Sequence, residues 1–138
     1  SDPMTASIAN ETIVAPITPP GRGPVVVLRV SGRLVPELLL RLSPKGAEIL
    51  DKPREVHYSA LLGSSGAVLD YILFTYFAAP NSFTGEPCLE IAIHGSSFIQ
   101  SELLGTLSLA GVRFARPGEF SERSFLNGKM DLSQVEAF

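Results

Sequence analysis

The chain has 138 residues, of which 45% are hydrophobic, 18% charged and 8% aromatic, and its formal net charge is −3. That length and apolar content suit one globular domain with its own core and exclude a disordered chain. The acidic balance argues against a surface devoted to gripping a nucleic-acid backbone; the single cysteine, Cys88, excludes an internal disulfide and a Cys-rich zinc site.

In chain order, Ser1-Asp2-Pro3 ahead of Met4 reads as the remnant of a removed tag, so residues 1–4 are set aside. No basic stretch followed by an apolar one marks a signal peptide, and no apolar run approaches the roughly 20 residues of a membrane span. With the lone cysteine, this favours a cytoplasmic protein without membrane contact. Residues 11–18 (ETIVAPIT) predict a first strand, and the prolines and glycines of 19–24 (PPGRGP) a loop. Residues 25–32 (VVVLRVSG) predict a strand apolar on both faces, hence central in its sheet. A short helix is expected over 33–42, with Pro36 tolerated in its first turn. Residues 55–62 and 67–77 flank GSSG and predict a hairpin. Residues 78–87 (AAPNSFTGEP) form a loop, and 88–94 (CLEIAIH) another strand.

The stretch 96–111 predicts a helix with capping-box spacing between Ser97 and Gln100, an apolar stripe of Ile99, Leu103, Leu107 and Ala110, and Gly111 placed to end it. A short strand over 112–115 and a short helix over 119–126, stopped by Asn127-Gly128, follow. Asp131 stands in capping-box spacing to Gln134, so a new helix is expected to begin there. The order predicts an α+β domain with a mostly antiparallel sheet and flanking helices.

Three residues stand out chemically. Strand alternation puts Arg29 on one face with Val25, Val27 and Ser31, and a guanidinium in mid-strand requires an acceptor: a carboxylate of the protein or a ligand. Glu90 shares its face with Cys88, Ala92 and His94. It can accept paired N–H groups from a heterocycle or serve as the partner of Arg29, and the two readings stay open. Lys129 lies in a turn between two helices, where its ammonium can reach an anionic ligand tail. Arg116, Glu119, Glu122 and Arg123 surround the short helix and read as a solvated face. His94 has only His57 as a fellow histidine, too little for a metal site, and a Cys88/His94 nucleophile pair lacks a base. Gly128-Lys129 is followed by Met130, which fails the phosphate-loop pattern G-x-x-x-x-G-K-[ST], so no nucleotide hydrolysis is expected within this chain.

The motifs TIVAPITPPGRG…LRVSG, PNSFTGE…LEIAIHG and ARPGEFSERSFLNGKMDLSQVEA resemble the N-terminal domain of the MnmE (TrmE) family of tRNA modification GTPases, over about residues 11–138. The resemblance implies that residues 5–128 form a domain like the folate-binding fold of the aminomethyltransferases, and that 129–138 begin a truncated helical domain. It implies binding of formyl-tetrahydrofolate, with Arg29, Glu90 and Lys129 at the family's folate-contacting positions, and constitutive homodimerisation. For the whole protein it implies a partnership with the FAD-dependent protein MnmG (GidA) in modifying carbon 5 of the tRNA wobble uridine. GTP, potassium and magnesium would be used in a G domain not included here. The family usually reads HGGP where this chain has His94-Gly95-Ser96-Ser97, and Val135 replaces an Ala. Two alternatives remain: a structural dimerisation module without ligand, and an aminomethyltransferase-like enzyme.

Overall fold

In the computed structural model, residues 10–19 and 24–129 are described. They form β1 (Ile13–Pro16), β2 (Val25–Ser31), α1 (Val35–Leu42), α2 (Gly46–Asp51), β3 (Val56–Leu62), β4 (Val68–Phe77), β5 (Cys88–His94), α3 (Ser97–Leu109), β6 (Arg113–Phe114) and α4 (Glu119–Leu126). One sheet holds the strands in the order β3-β4-β5-β2-β1-β6. Every pairing is antiparallel except the short parallel one between β1 and β6. The expected α+β class and mostly antiparallel sheet are what the chain adopts. The expected helix from Asp131 and the tag reading of residues 1–4 lie outside the described residues.

β2 sits inside the sheet between β1 and β5, as its two-sided apolar sequence requires. Leu28 and Val30 of β2, Leu89, Ile91 and Ile93 of β5, and Ile72 and Phe74 of β4 share the face that the helices cover. From the helices, Val35, Leu38, Leu39 and Leu42 come down at i, i+3, i+4 and i+7 from α1, and Leu103 and Leu107 from α3. Each such side chain contributes roughly 1.5–3 kcal/mol on burial, so this layer is the main source of stability.

Local signals set the helix ends. Pro36 falls in the first turn of α1, and Thr12, just before β1, accepts the Leu34 N–H at 3.1 Å in place of a side-chain cap from α1 itself. α2 was not expected from sequence. It is six residues long, lacks a side-chain cap and buries Ile49, and Gly46 lies so close to the Leu39 backbone that a Cβ would collide with it. The N-cap of α3 is Ser96, which accepts the Ile99 N–H at 3.4 Å, rather than the expected Ser97, which is already helical. Ser96, one of the two residues after Gly95 that differ from the expected HGGP, therefore caps the helix. Gly111, at φ 96°, ends it as expected.

The second sheet face is covered at one end only. There Ile13, Ser31 and Cys88 lie in one cross-strand row, buried beneath the 78–87 loop and α4. The rest of this face, including Tyr58, Tyr71 and Leu73, is open. At the outer edge Lys45 donates to the carbonyl of Tyr58 at 3.1 Å and blunts strand β3. No helix among the described residues is long and apolar enough to cross a membrane.

Candidate functional site

Register places the first two candidate residues together. Arg29 on β2 is paired directly with Glu90 on β5, so both side chains rise from the same row of the second face. Arg29 Nη2 donates to Glu90 Oε2 at 3.2 Å and Nε to the same oxygen at 3.4 Å. The side chains remain 16% and 28% exposed, so the pair stands at the margin between the covered and open parts of the face. Oε1 of Glu90 makes no hydrogen bond among the described residues and is not sealed from solvent. The ion-pair and acceptor readings are therefore compatible: one oxygen holds Arg29 and the other can accept from an N–H donor.

Aromatic rings bracket the guanidinium. Its Cζ lies 4.6 Å from the ring centre of Phe83, in the 78–87 loop, and 5.4 Å from that of Phe120 on α4. A cation held against ring faces gains electrostatically where water is thin, which orients Arg29 further. Sequence reading missed both rings, because a lone aromatic in a turn-rich loop and another in a short helix carry no periodic signal.

Beneath this bracket runs a polar network that sequence reading assigned to solvent. Glu119 and Arg123 are 2% and 4% exposed, so the expected solvated face is corrected for both. Arg113 donates to the two Glu119 oxygens at 2.9 and 2.7 Å, and the backbone N–H of Arg116 adds a bond of 2.8 Å. Burial pushes the Glu119 carboxyl up, but the hydrogen bonds from Arg113 and Arg116 and their charges outweigh it and hold the group at about 2. Bonding to Glu119 raises the Arg113 guanidinium correspondingly. Arg123 Nη1 reaches both oxygens of Glu86 at 3.0 and 3.1 Å, and Ser31 donates to Glu86 at 2.7 Å. The i, i+4 spacing of Glu119 and Arg123 was a usable sign of one shared helix face. What buries that face is Glu86, from the 78–87 loop.

Lys129 follows α4, its N–H bonded to the Ser124 carbonyl at 2.8 Å, and is exposed. Its stem lies against Gly85, where an added Cβ would come within 3.4 Å of Lys129 Cγ. It thus borders the loop that carries Phe83, while Arg29 and Glu90 form the direct pair. His94 is exposed, with Nδ1 3.4 Å from Asp70, and His57 approaches the Lys52 carbonyl. Among the described residues no three His, Cys, Asp or Glu side chains converge as metal ligands. Cys88 is buried beside Thr84 and Ser31, at the opposite end of β5 from His94, about 20 Å along the strand.

Comparison with known proteins places these residues in a wider set. A family model described as GTP-binding protein TrmE N-terminus matches residues 12–129. The tRNA modification GTPase MnmE of Yersinia pseudotuberculosis is 51% identical over 129 residues, covering 93% of this chain and 28% of that protein. The protein of the same name from Yersinia pestis shows the same figures. That from Pseudomonas paraeruginosa is 49% identical over 129 residues, covering 94% of this chain and 28% of its own. The chain spans about 28% of the length of the curated relatives it matches.

Proposed function

The chain belongs to the family of TrmE N-terminal domains, and from that premise we propose that it binds formyl-tetrahydrofolate and forms the homodimer of a tRNA modification GTPase. Reduced folates offer clustered N–H donors on the heterocycle and carboxylates on the tail. Glu90 Oε1 is the acceptor for the ring donors, while Arg29 and Lys129 meet the ligand's polar and carboxylate ends. The observation that carries this reading is the half-open Arg29–Glu90 pair, with one carboxylate oxygen engaged and the other without a hydrogen bond.

Dimerisation is supported by the open part of the same sheet face. Val56, Tyr58, Tyr71 and Leu73 stand there 64%, 61%, 52% and 42% exposed, a cluster of large apolar side chains on one sheet face of the kind that marks interaction surfaces. Thr75, Glu90 and Arg29 continue the row that starts at Val56, so the ligand site borders the surface a second copy would cover. The whole protein then acts with the FAD-dependent partner MnmG on carbon 5 of the tRNA wobble uridine in the cytoplasm. GTP hydrolysis, with potassium and magnesium, belongs to a G domain outside these residues.

The test is calorimetric titration of formyl-tetrahydrofolate into the wild-type chain and Glu90→Gln, with thermal unfolding alongside. Loss of a charge-assisted acceptor, about 1.5–3 kcal/mol, lowers affinity on the order of tenfold or more. Normal binding by a folded Glu90→Gln variant overturns the site. The Arg29–Glu90 bond also supports a second reading, a strut with no ligand. That reading prevails if the wild type binds no folate and the variant only loses stability.

A further inference from the structure

α4 and the 78–87 loop meet through polar contacts. Arg123 takes both oxygens of Glu86, Ser124 Oγ donates to the Phe83 carbonyl at 2.7 Å, and Asn127 Nδ2 donates to the Thr84 carbonyl at 2.8 Å. The two rings that flank Arg29 come one from each side of this contact: Phe83 from the loop and Phe120 from the helix. The width of the bracket around the guanidinium is thus set by how closely loop and helix are held. Of the three contacts, Arg123 is the one between two charged groups, and its side chain is 4% exposed. Glu86 is anchored from below by Ser31, the neighbour of Arg29 on the same strand face. Arg123, Glu86 and Ser31 therefore form a line of contacts from α4 through the loop to the strand that carries Arg29.

We propose that Arg123 is a positioning residue for the Arg29–Glu90 site: by gripping Glu86 it seats the 78–87 loop on α4 and so holds Phe83 and Phe120 against the Arg29 guanidinium. Its consequence for ligand binding rests on the folate reading above. A bidentate guanidinium fixes both the distance and the plane of Glu86, which an ammonium does not. By linkage, a ligand that uses the bracketed Arg29 also tightens the seat of α4.

The experiment uses the 138-residue chain and its Arg123→Gln, Arg123→Lys and Glu86→Gln variants, and reads two quantities. The first is the Arg29 Nε–H resonance, which the two flanking rings displace in the wild type. The second is the dissociation constant for formyl-tetrahydrofolate. Arg123→Gln is expected to return the resonance toward its unperturbed position and to weaken folate on the order of tenfold, with Arg123→Lys recovering part of both. Glu86→Gln, which keeps the side-chain shape, serves where Arg123→Gln does not fold and carries the same expectation. A folded variant with the Arg29 resonance unmoved overturns the proposal, whether or not folate affinity falls. If the wild type binds no folate, the ligand reading fails, and the resonance alone still decides whether Arg123 positions Arg29.

Discussion

Replacing Glu119 by Gln tests whether the α4 network is held by charge or by shape. In the folded chain the carboxylate is almost wholly buried and accepts from Arg113, Arg116 and Arg123. Its folded value of about 2 lies below the ordinary 4.5. At 1.36 kcal/mol per pH unit, the ionised group contributes roughly 3 kcal/mol of stability. Because the folded value is the lower one, that contribution is complete above about pH 4.5 and is lost as pH falls toward 2. Gln keeps the shape but leaves the surrounding guanidinium groups facing a neutral amide. Removing one member of a buried ionic cluster costs about 3–5 kcal/mol. At pH 7 the urea midpoint of Glu119→Gln is expected about 1–3 M below wild type. Near pH 2 the wild-type carboxyl is half protonated and the gap closes to below about 1 kcal/mol. A gap at pH 7 smaller than about 1 kcal/mol, or one that does not change with pH, would refute the charge argument.

Gly32 stands at φ 143°, and an added Cβ would fall 2.5–2.9 Å from atoms of Thr12. Gly32→Ala is therefore expected to lose roughly 2–4 kcal/mol in thermal unfolding, and an unchanged midpoint would show that β1 can yield there. Cys88, 1% exposed, is expected to resist an aromatic disulfide reagent in the native chain and to react at once in denaturant; immediate native labelling would contradict its burial. Lys129→Ala is expected to weaken formyl-tetrahydrofolate by less than about fivefold at physiological salt, because an exposed ammonium is screened. A larger loss in titration would show that the Lys129 ammonium is not screened when the ligand is bound.

The legible parts of this chain are those where one face of an element is buried along its length. The alternation in β2 and β5 located Arg29 and Glu90 on the same kind of face, and the register then made them direct neighbours. α2 escaped because it has no side-chain cap and its one buried hydrophobic residue, Ile49, sets no period. The burial of Arg123 was illegible for a different reason. Its partner Glu86 is 37 residues away, in a loop whose path follows from turns rather than from any repeat. Phe83 and Phe120 likewise acquire their role only when loop and helix close over the sheet. The direct pair at the candidate site was thus within reach of local patterning, and the apparatus that frames it was not.

The strand order also bears on how the chain leaves the ribosome. β3 and β4 form a hairpin and β5 follows on, so these three strands can pair as they emerge. β2 cannot: its Arg29 meets Glu90 only after 61 further residues have been made. At synthesis rates of about 5–20 residues per second, that wait is roughly 3–12 s. During it, a seven-residue segment rich in valine, with a single charge, is present without its long partner strand. β1 is made earliest, yet its second neighbour, β6, is added only after α3. Vectorial synthesis therefore delivers β2 with only the short β1 to pair with, long before β5, and leaves one edge of an apolar strand unpaired during that wait.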